Sequence, residues 1–365
     1  MYFLGAASNY SASDTFRHLF AFGTEKDSFK LRQFLAHHYK TDIGHVALLS
    51  NGRSALSVAL KIAIPKDSKI VINGFTCKAV VEAVKSAGDI PIYADINPDF
   101  LHYDAKILTE LIKKHPDIKA IIIQNTLGNP VDIAEIEKVT NKHNIAIIED
   151  LAHCTGVFYP DGREAGTVGI AAALSFGKGK SIDTITGGAV VLNKNLPKME
   201  ARKNPPKLSS TLRARWYPIF GAIGRFLTPV HLSKYWFGCL IKIHFIERSA
   251  DSAIDSSVRL THWQAKLALK QLKNLPKNGR PPIRQHYFVK NREELLEKLA
   301  KSGFYFSEIW YDTPISPARY YKNIHFPEKE CPNSVSAAKE IINLPTHYEE
   351  SKLQPAIKII EEYLK

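Results

Sequence analysis

Cysteine is scarce in this chain: four in 365 residues, Cys77, Cys154, Cys239 and Cys331, with no CxxC pair. They show no metal-ligand spacing and argue for a reducing compartment. No run of 18 apolar residues is uninterrupted, so no membrane span is expected. Met1 to Tyr10 has neither a basic n-region nor an apolar h-region, so no signal peptide is expected. Internal repeats and low-complexity tracts are absent. Acidic residues nearly vanish between Ala201 and Ala250, where Glu247 stands alone against nine Lys or Arg, a balance of +8 within an overall +13. Such a patch can meet nucleic acid, anionic lipid or phosphorylated substrates, and a solvated surface also accounts for it. Nucleic acid is not the expected partner.

The remaining composition, 45% hydrophobic and 23% charged, is that of a globular protein. Its length suits a large α/β domain with a smaller one. Lys69–Ile72, Ile90–Ala94, Lys119–Ile123, Ile145–Ile148 and Gly188–Leu192 read as strands. Their continuous apolar runs suit strands covered on both faces. Helical patterns, as over Ser54–Ile64 and Lys78–Ser86, separate several of them. That order implies a mostly parallel sheet flanked by helices, with ligand groups at the carboxyl ends of strands. The expected organisation is a large domain over 1–200, a basic amphipathic insert over 201–250 and a small α/β domain over 251–365. Lys203–Ser209, with Pro205-Pro206, reads as a linker, and Thr261–Leu272 as a helix.

The chemistry concentrates in two segments. Glu149-Asp150-Leu151-Ala152-His153 places a carboxylate and an imidazole at a strand end. Ser175-Phe176-Gly177-Lys178-Gly179-Lys180 follows with an amine in a loop of small residues. A pyridoxal phosphate enzyme needs these groups. A lysine binds the cofactor aldehyde covalently, and an aspartate holds the ring nitrogen protonated so the ring accepts electrons. Ser50-Asn51-Gly52-Arg53-Ser54 opens a helix whose N-terminal N–H groups and dipole favour an anion. Each piece also has a plain reading. Ser54 could be an ordinary helix cap, Asp150 a cap beside a satisfied histidine, and Lys180 a solvated lysine, with Lys178 close enough to be confused with it.

Together these segments resemble the DegT/DnrJ/StrS family of pyridoxal phosphate sugar aminotransferases, which have the fold-type I architecture. Ser50–Leu60 resembles the family's phosphate loop and helix. Gly74-Phe75-Thr76 resembles its Pro-x-x-Thr-aromatic turn, and Gly128–Asp132 its Gly-x-x-x-Asp motif. Glu149–His153 resembles Glu-Asp-x-Ala-Gln/His, and Ser175–Gly188 matches Ser-Phe-x-x-x-Lys…Gly-Gly in register. Arg259–Ala265 and Asn343-Leu344-Pro345 resemble later motifs. The resemblance implies Lys180 as the cofactor-attaching lysine, Asp150 as the partner of the ring nitrogen and His153 as a ring-side contact. It implies Gly52, Arg53 and Ser175 as phosphate contacts, with Ser54 a further cofactor-binding residue. Relatives that act as dehydratases carry histidine at the lysine position, so Lys180 favours transamination. Implied partners are an amino donor, expected to be glutamate, a keto-sugar acceptor linked to a nucleotide, and a second copy of the chain in a homodimer. Cell-surface polysaccharide or glycolipid synthesis is the expected context. A dehydratase or eliminase with the same cofactor is the alternative, as is a non-catalytic membrane-associated protein on this fold.

Two positions depart from the pattern. Cys77 replaces the aromatic that stacks on the cofactor, leaving Phe75 as a substitute only if the loop shifts. Ser257 replaces an asparagine that reaches the neighbouring subunit's phosphate. The segment Arg202–Arg248 does not resemble the family. Within it Trp216, Ile219, Phe220, Ile223, Phe226, Leu227 and Val230 share an arc of about 120° on a helix, with Arg225 opposite. An apolar face with aromatic and basic residues marks an interfacial helix. Packing on the core or at a dimer contact accounts for it equally. The expected location is cytoplasmic, peripheral on the inner face of the membrane.

Overall fold

The computed structural model describes residues 2–4, 10–248, 251–306 and 308–365. Helices α1 (Ala12–Phe20) and α2 (Glu25–His38) lead into strand β1 (Val46–Leu49) and helix α3 (Gly52–Ala63). Then follow β2 (Lys69–Asn73), α4 (Lys78–Ala87), β3 (Ile90–Ala94), α5 (Ala105–Lys114), β4 (Ile118–Ile123), α6 (Ile133–His143), β5 (Ala146–Asp150), β6 (Ala171–Ser175) and β7 (Gly188–Leu192). These strands form one seven-stranded sheet in the order 3-2-4-5-6-7-1. Only β7 runs antiparallel, against both β6 and β1. Separate buried clusters cover its two faces, one built on α2 and β4, the other on α3 and α4. This is why the strands read as unbroken apolar runs.

The expected strands all appear. Asp150 is the last residue of β5 rather than the residue after it. Strands β1 and β6 were not anticipated.

Beyond the sheet, α7 (Leu208–Phe226) packs on α1 and on α8 (Ser233–Lys242), and α9 (His262–Lys273) packs on α2. Leu208 already starts α7, so the last two residues of the expected linker over Lys203–Ser209 are helical. The C-terminal part is smaller: an antiparallel pair, β8 (Arg284–Phe288) and β9 (Ile341–Pro345), with α10 (Arg292–Lys301), α11 (Pro332–Glu340) and α12 (Glu350–Glu361). It has its own cluster around Leu295, Leu299, Ile342, Leu353 and Ile360. The architecture is fold-type I: a mostly parallel sheet flanked by helices with a smaller C-terminal α/β part.

The anticipated apolar arc of the insert is only partly helical. Helix α7 ends at Phe226, and Val230 lies beyond it. The stripe that α7 buries is made of small residues, Ala214, Pro218, Gly221 and Gly224. A side chain at Gly224 would collide with the Phe237 ring at 2.4 Å, so α8 approaches through that glycine. Arg215 donates to the Leu19 and Ala21 carbonyls at 2.7 and 2.8 Å, tying α7 to the end of α1. Of the large apolar residues in the arc, Trp216, Ile223, Phe226 and Val230 are exposed, Phe226 at 83%, while Ile219, Phe220 and Leu227 are half-buried.

Candidate active site

At the carboxyl ends of β5 and β6 lies a cavity of about 630 Å³. Its floor includes Gly52, Asp150, Ala152, His153, Ser175 and Lys180. Alternation along β5 sends Glu149 and Asp150 to opposite sides. Glu149 is structural. It accepts N–H groups of Gly166, Val168 and Gly169 at 2.7, 2.9 and 2.6 Å and the Tyr159 hydroxyl at 2.8 Å. Asp150 instead faces the cavity. It is buried and accepts the Ala152 N–H at 3.0 Å, and among the described residues it has no ion pair. Burial pushes its carboxyl upward, while the Ala152 N–H and Lys180 oppose that shift.

Lys180 Nζ sits 2.9 Å from His153 Nε2. His153 Nδ1 accepts the Leu127 N–H at 3.0 Å, so a neutral ring carries its proton on Nε2. That Nε2–H is placed to donate to Lys180 Nζ when the amine is uncharged. Burial lowers both groups: the Lys180 ammonium by desolvation, the imidazolium by desolvation and by the nearby Lys180 and Arg284 charges. Burial thus moves Lys180 toward the free amine, against the opposing fields of Cys77, Asp150 and Glu308.

Helix α3 supplies the anion end. Asn51, not Ser54, is its N-cap and accepts the Ser54 N–H at 2.8 Å. Ser54 is buried behind the helix end, where its hydroxyl accepts the Asp255 N–H at 3.1 Å, and it does not line the cavity. Gly52 meets Ser175 so closely that a Cβ would lie 2.7 Å from Ser175 Oγ. Arg53 lines the cavity but its guanidinium is engaged, 2.9 Å from Glu82 and bonded to the Ser252 carbonyl. Cys77 lines the cavity as the N-cap of α4. Phe75 does not: it is fully buried and edge-on to Tyr311 at 5.4 Å, so it is no substitute for the missing stacking ring. Ser257 is exposed, donates to Asp255 at 2.7 Å and lies outside the cavity.

Several lining residues carried no recognised sequence signal. Trp310 stacks on His153 at 4.9 Å with planes 3° apart, and its ring lies 4.4 Å from Lys180 Nζ. It puts an aromatic face in the cavity that Cys77 lacks. Tyr311 and Glu308 flank it, and the insert adds Tyr217, Phe237, Ile241 and Ile246.

These groups fit pyridoxal phosphate. A buried carboxylate without a counter-charge is costly, and a protonated ring nitrogen would relieve it. The glycine-opened end of α3 beside the Ser175 hydroxyl would take the phosphate. Lys180 as a free amine would take the aldehyde.

Comparison with known proteins agrees. A GDP-perosamine synthase of Caulobacter vibrioides is 30% identical over 180 residues, covering 49% of this chain and 48% of the relative. A UDP-4-amino-4,6-dideoxy-N-acetyl-beta-L-altrosamine transaminase of Campylobacter jejuni is 26% identical over 318 residues, covering 84% of this chain and 81% of the relative. The matched region is thus about half the length of the first and about four-fifths of the second. Among solved structures, Spr1654 from Streptococcus pneumoniae in its PLP form superposes with a TM-score of 0.68 at 17% identity, covering 98% and 99% of the two chains. Pyridoxal phosphate is the cofactor of this group. The family model for the DegT/DnrJ/EryC1/StrS aminotransferases matches residues 17–281. With Lys180, Asp150 and the α3 terminus in one cavity, the chain belongs to the DegT/DnrJ/EryC1/StrS aminotransferase family.

Proposed function

We propose that this aminotransferase moves the amino group of an amino acid, glutamate, to the carbonyl of a nucleotide-linked keto-sugar. The observation that carries the reading is Lys180 Nζ, held 2.9 Å from His153 Nε2 in the cavity that Asp150 also faces. The relatives' names supply the acceptor class. A lysine at position 180 speaks against the elimination reading and the non-catalytic one.

The cofactor, when bound, supplies an aldehyde and an electron-accepting ring. The side chains do the rest. Asp150 accepts the ring N–H and holds that charge in place. Gly52, Ser175 and the positive end of α3 hold the phosphate. Lys180 Nζ takes the proton leaving the donor Cα and, in the second half-reaction, delivers one to the acceptor carbon. His153 orients that amine through Nε2–H, its own tautomer fixed by Leu127. Trp310 supplies the stacking face in place of Cys77.

Two further readings concern assembly. The enzyme is a homodimer, the commonest symmetric assembly, with Ser257 on a face open to the partner. The insert docks on an anionic membrane surface. Its outward face exposes Trp216, Ile223, Phe226, Tyr235, Ile243 and Phe245 within a segment of charge +8.

Adding glutamate to the cofactor-loaded enzyme should convert the aldehyde absorbance to that of the aminated cofactor, releasing 2-oxoglutarate. An enzyme that no amino acid converts would sink the reading.

A further inference from the structure

Lys178 and Lys180 stand in one short turn, separated by Gly179 at φ 72°, and both side chains line the cavity. Only Lys180 has a role in the reaction described above. Lys178 Nζ lies over the Tyr217 ring, 4.2 Å from its centroid. Tyr217 belongs to the insert, so the contact exists because α7 folds over the cavity. Lys178 forms no ion pair among the described residues. Burial lowers the Lys178 ammonium, and the carboxylates of Asp183, Glu308 and Glu247 oppose that shift and favour the charged form. Asp183 is already engaged by the Tyr10 hydroxyl at 2.9 Å and the Gly179 N–H at 2.8 Å. Glu308 lies in the stronger field of Arg284.

The other cations of the cavity are placed differently. Arg53 is committed to Glu82. Arg248 and Arg319 are exposed at the mouth. Arg284 lies behind the lining and donates to the Leu4 carbonyl and Asn343 Oδ1, so among the described lining residues Lys178 is the inner cation outside an ion pair and apart from the reaction.

We propose that Lys178 binds the α-carboxylate of the amino donor, a specificity role that rests on the amino-transfer reading. The chemistry of the two substrates separates the candidates. An amino acid carries its carboxylate on the same carbon as the amine, so the receptor must stand beside the lysine that handles that amine. A sugar nucleotide carries its diphosphate across the sugar ring from a 3- or 4-carbonyl. Its receptor belongs further out, where Arg248 and Arg319 are. Tyr217 holds the ammonium by cation–π attraction without neutralising it. This leaves the charge available to the donor.

The test uses cofactor-loaded wild type, Lys178→Met and Lys178→Arg. The first readout is the concentration dependence of the glutamate half-reaction by absorbance. The second is calorimetric binding of glutarate, a dicarboxylate with no amine, and of UDP. Loss of one charge-assisted contact predicts about 10- to 100-fold weaker glutamate and glutarate binding in Lys178→Met. UDP binding should stay within about twofold, and Lys178→Arg should recover most of the donor affinity. Unchanged glutamate and glutarate affinity in Lys178→Met would overturn the assignment while leaving amino transfer intact. So would a loss confined to UDP, which would make Lys178 an acceptor contact. Wild type that no amino acid converts would overturn both readings.

Discussion

Replacing Asp150 with Asn separates the cost of a buried charge from its use. In the cofactor-free fold the carboxylate is buried, bonded to the Ala152 N–H at 3.0 Å, and has no ion pair among the described residues. Burial is the leading cause of its shift, and it raises the pKa above the ordinary 3.8. The sign of the linkage follows. Above pH 3.8 the folded state holds this proton when the unfolded state has released it. Stability falls with pH wherever the unfolded state binds fewer protons. The cofactor-free wild type should therefore lose stability from this group as pH rises from about 4 through its raised folded value. Asp150→Asn removes the charge, so without cofactor it should melt at or above the wild-type temperature at pH 7, with a flatter pH profile. With cofactor the order reverses, because the ring nitrogen supplies the missing cation. Breaking a buried pair costs about 3–5 kcal/mol, equivalent to about two to four orders of magnitude in kcat. Melting curves from pH 4 to 8, with and without cofactor, and single-turnover kinetics are the assays. Near-normal turnover would mean another residue serves the ring nitrogen. A cofactor-free mutant melting several degrees lower would mean the carboxylate is structural.

Lys180→Ala should abolish turnover yet retain cofactor affinity through the phosphate contacts, and borohydride should fix cofactor to Lys180 in the wild type; a peptide map placing it on Lys178 would refute the assignment. Wild type should co-sediment with anionic vesicles, less so at high salt because screening acts within roughly 10 Å, and Phe226→Asp should abolish this. If Phe226→Asp instead breaks a dimer seen by sedimentation velocity and leaves vesicle binding unchanged, the exposed face is a subunit contact. A fully active monomer would refute the dimer.

What the sequence made legible follows from where its signals are local. β-Branched runs located β2, β3, β4, β5 and β7, because those side chains favour strands and both sheet faces are covered. Strand β6 escaped because Ala171-Ala172-Ala173 has no strand preference. Strand β1, four residues long, is held by pairing with β7 some 140 positions later. Asp150 and Lys180 were legible from a strand end and a glycine-flanked turn. Trp310 was not, since it reaches His153 from a C-terminal segment, and nothing in its neighbours encodes that meeting.

The insert shows the limit most sharply. Periodicity found its apolar stripe but says nothing about which way a stripe faces. The deciding residues are the small ones. Gly224 allows close approach on the buried side, with Phe237 packed against it, and the Arg225 guanidinium reaches the Tyr10 carbonyl. Some of the large apolar side chains pack on each other, as Phe220 does on Trp216, Trp236 and Phe245, while Phe226 stays 83% exposed. The same helices send Tyr217, Phe237 and Ile241 into the cavity. One segment thus forms both an outer apolar, cationic surface and the inner wall beside Lys178.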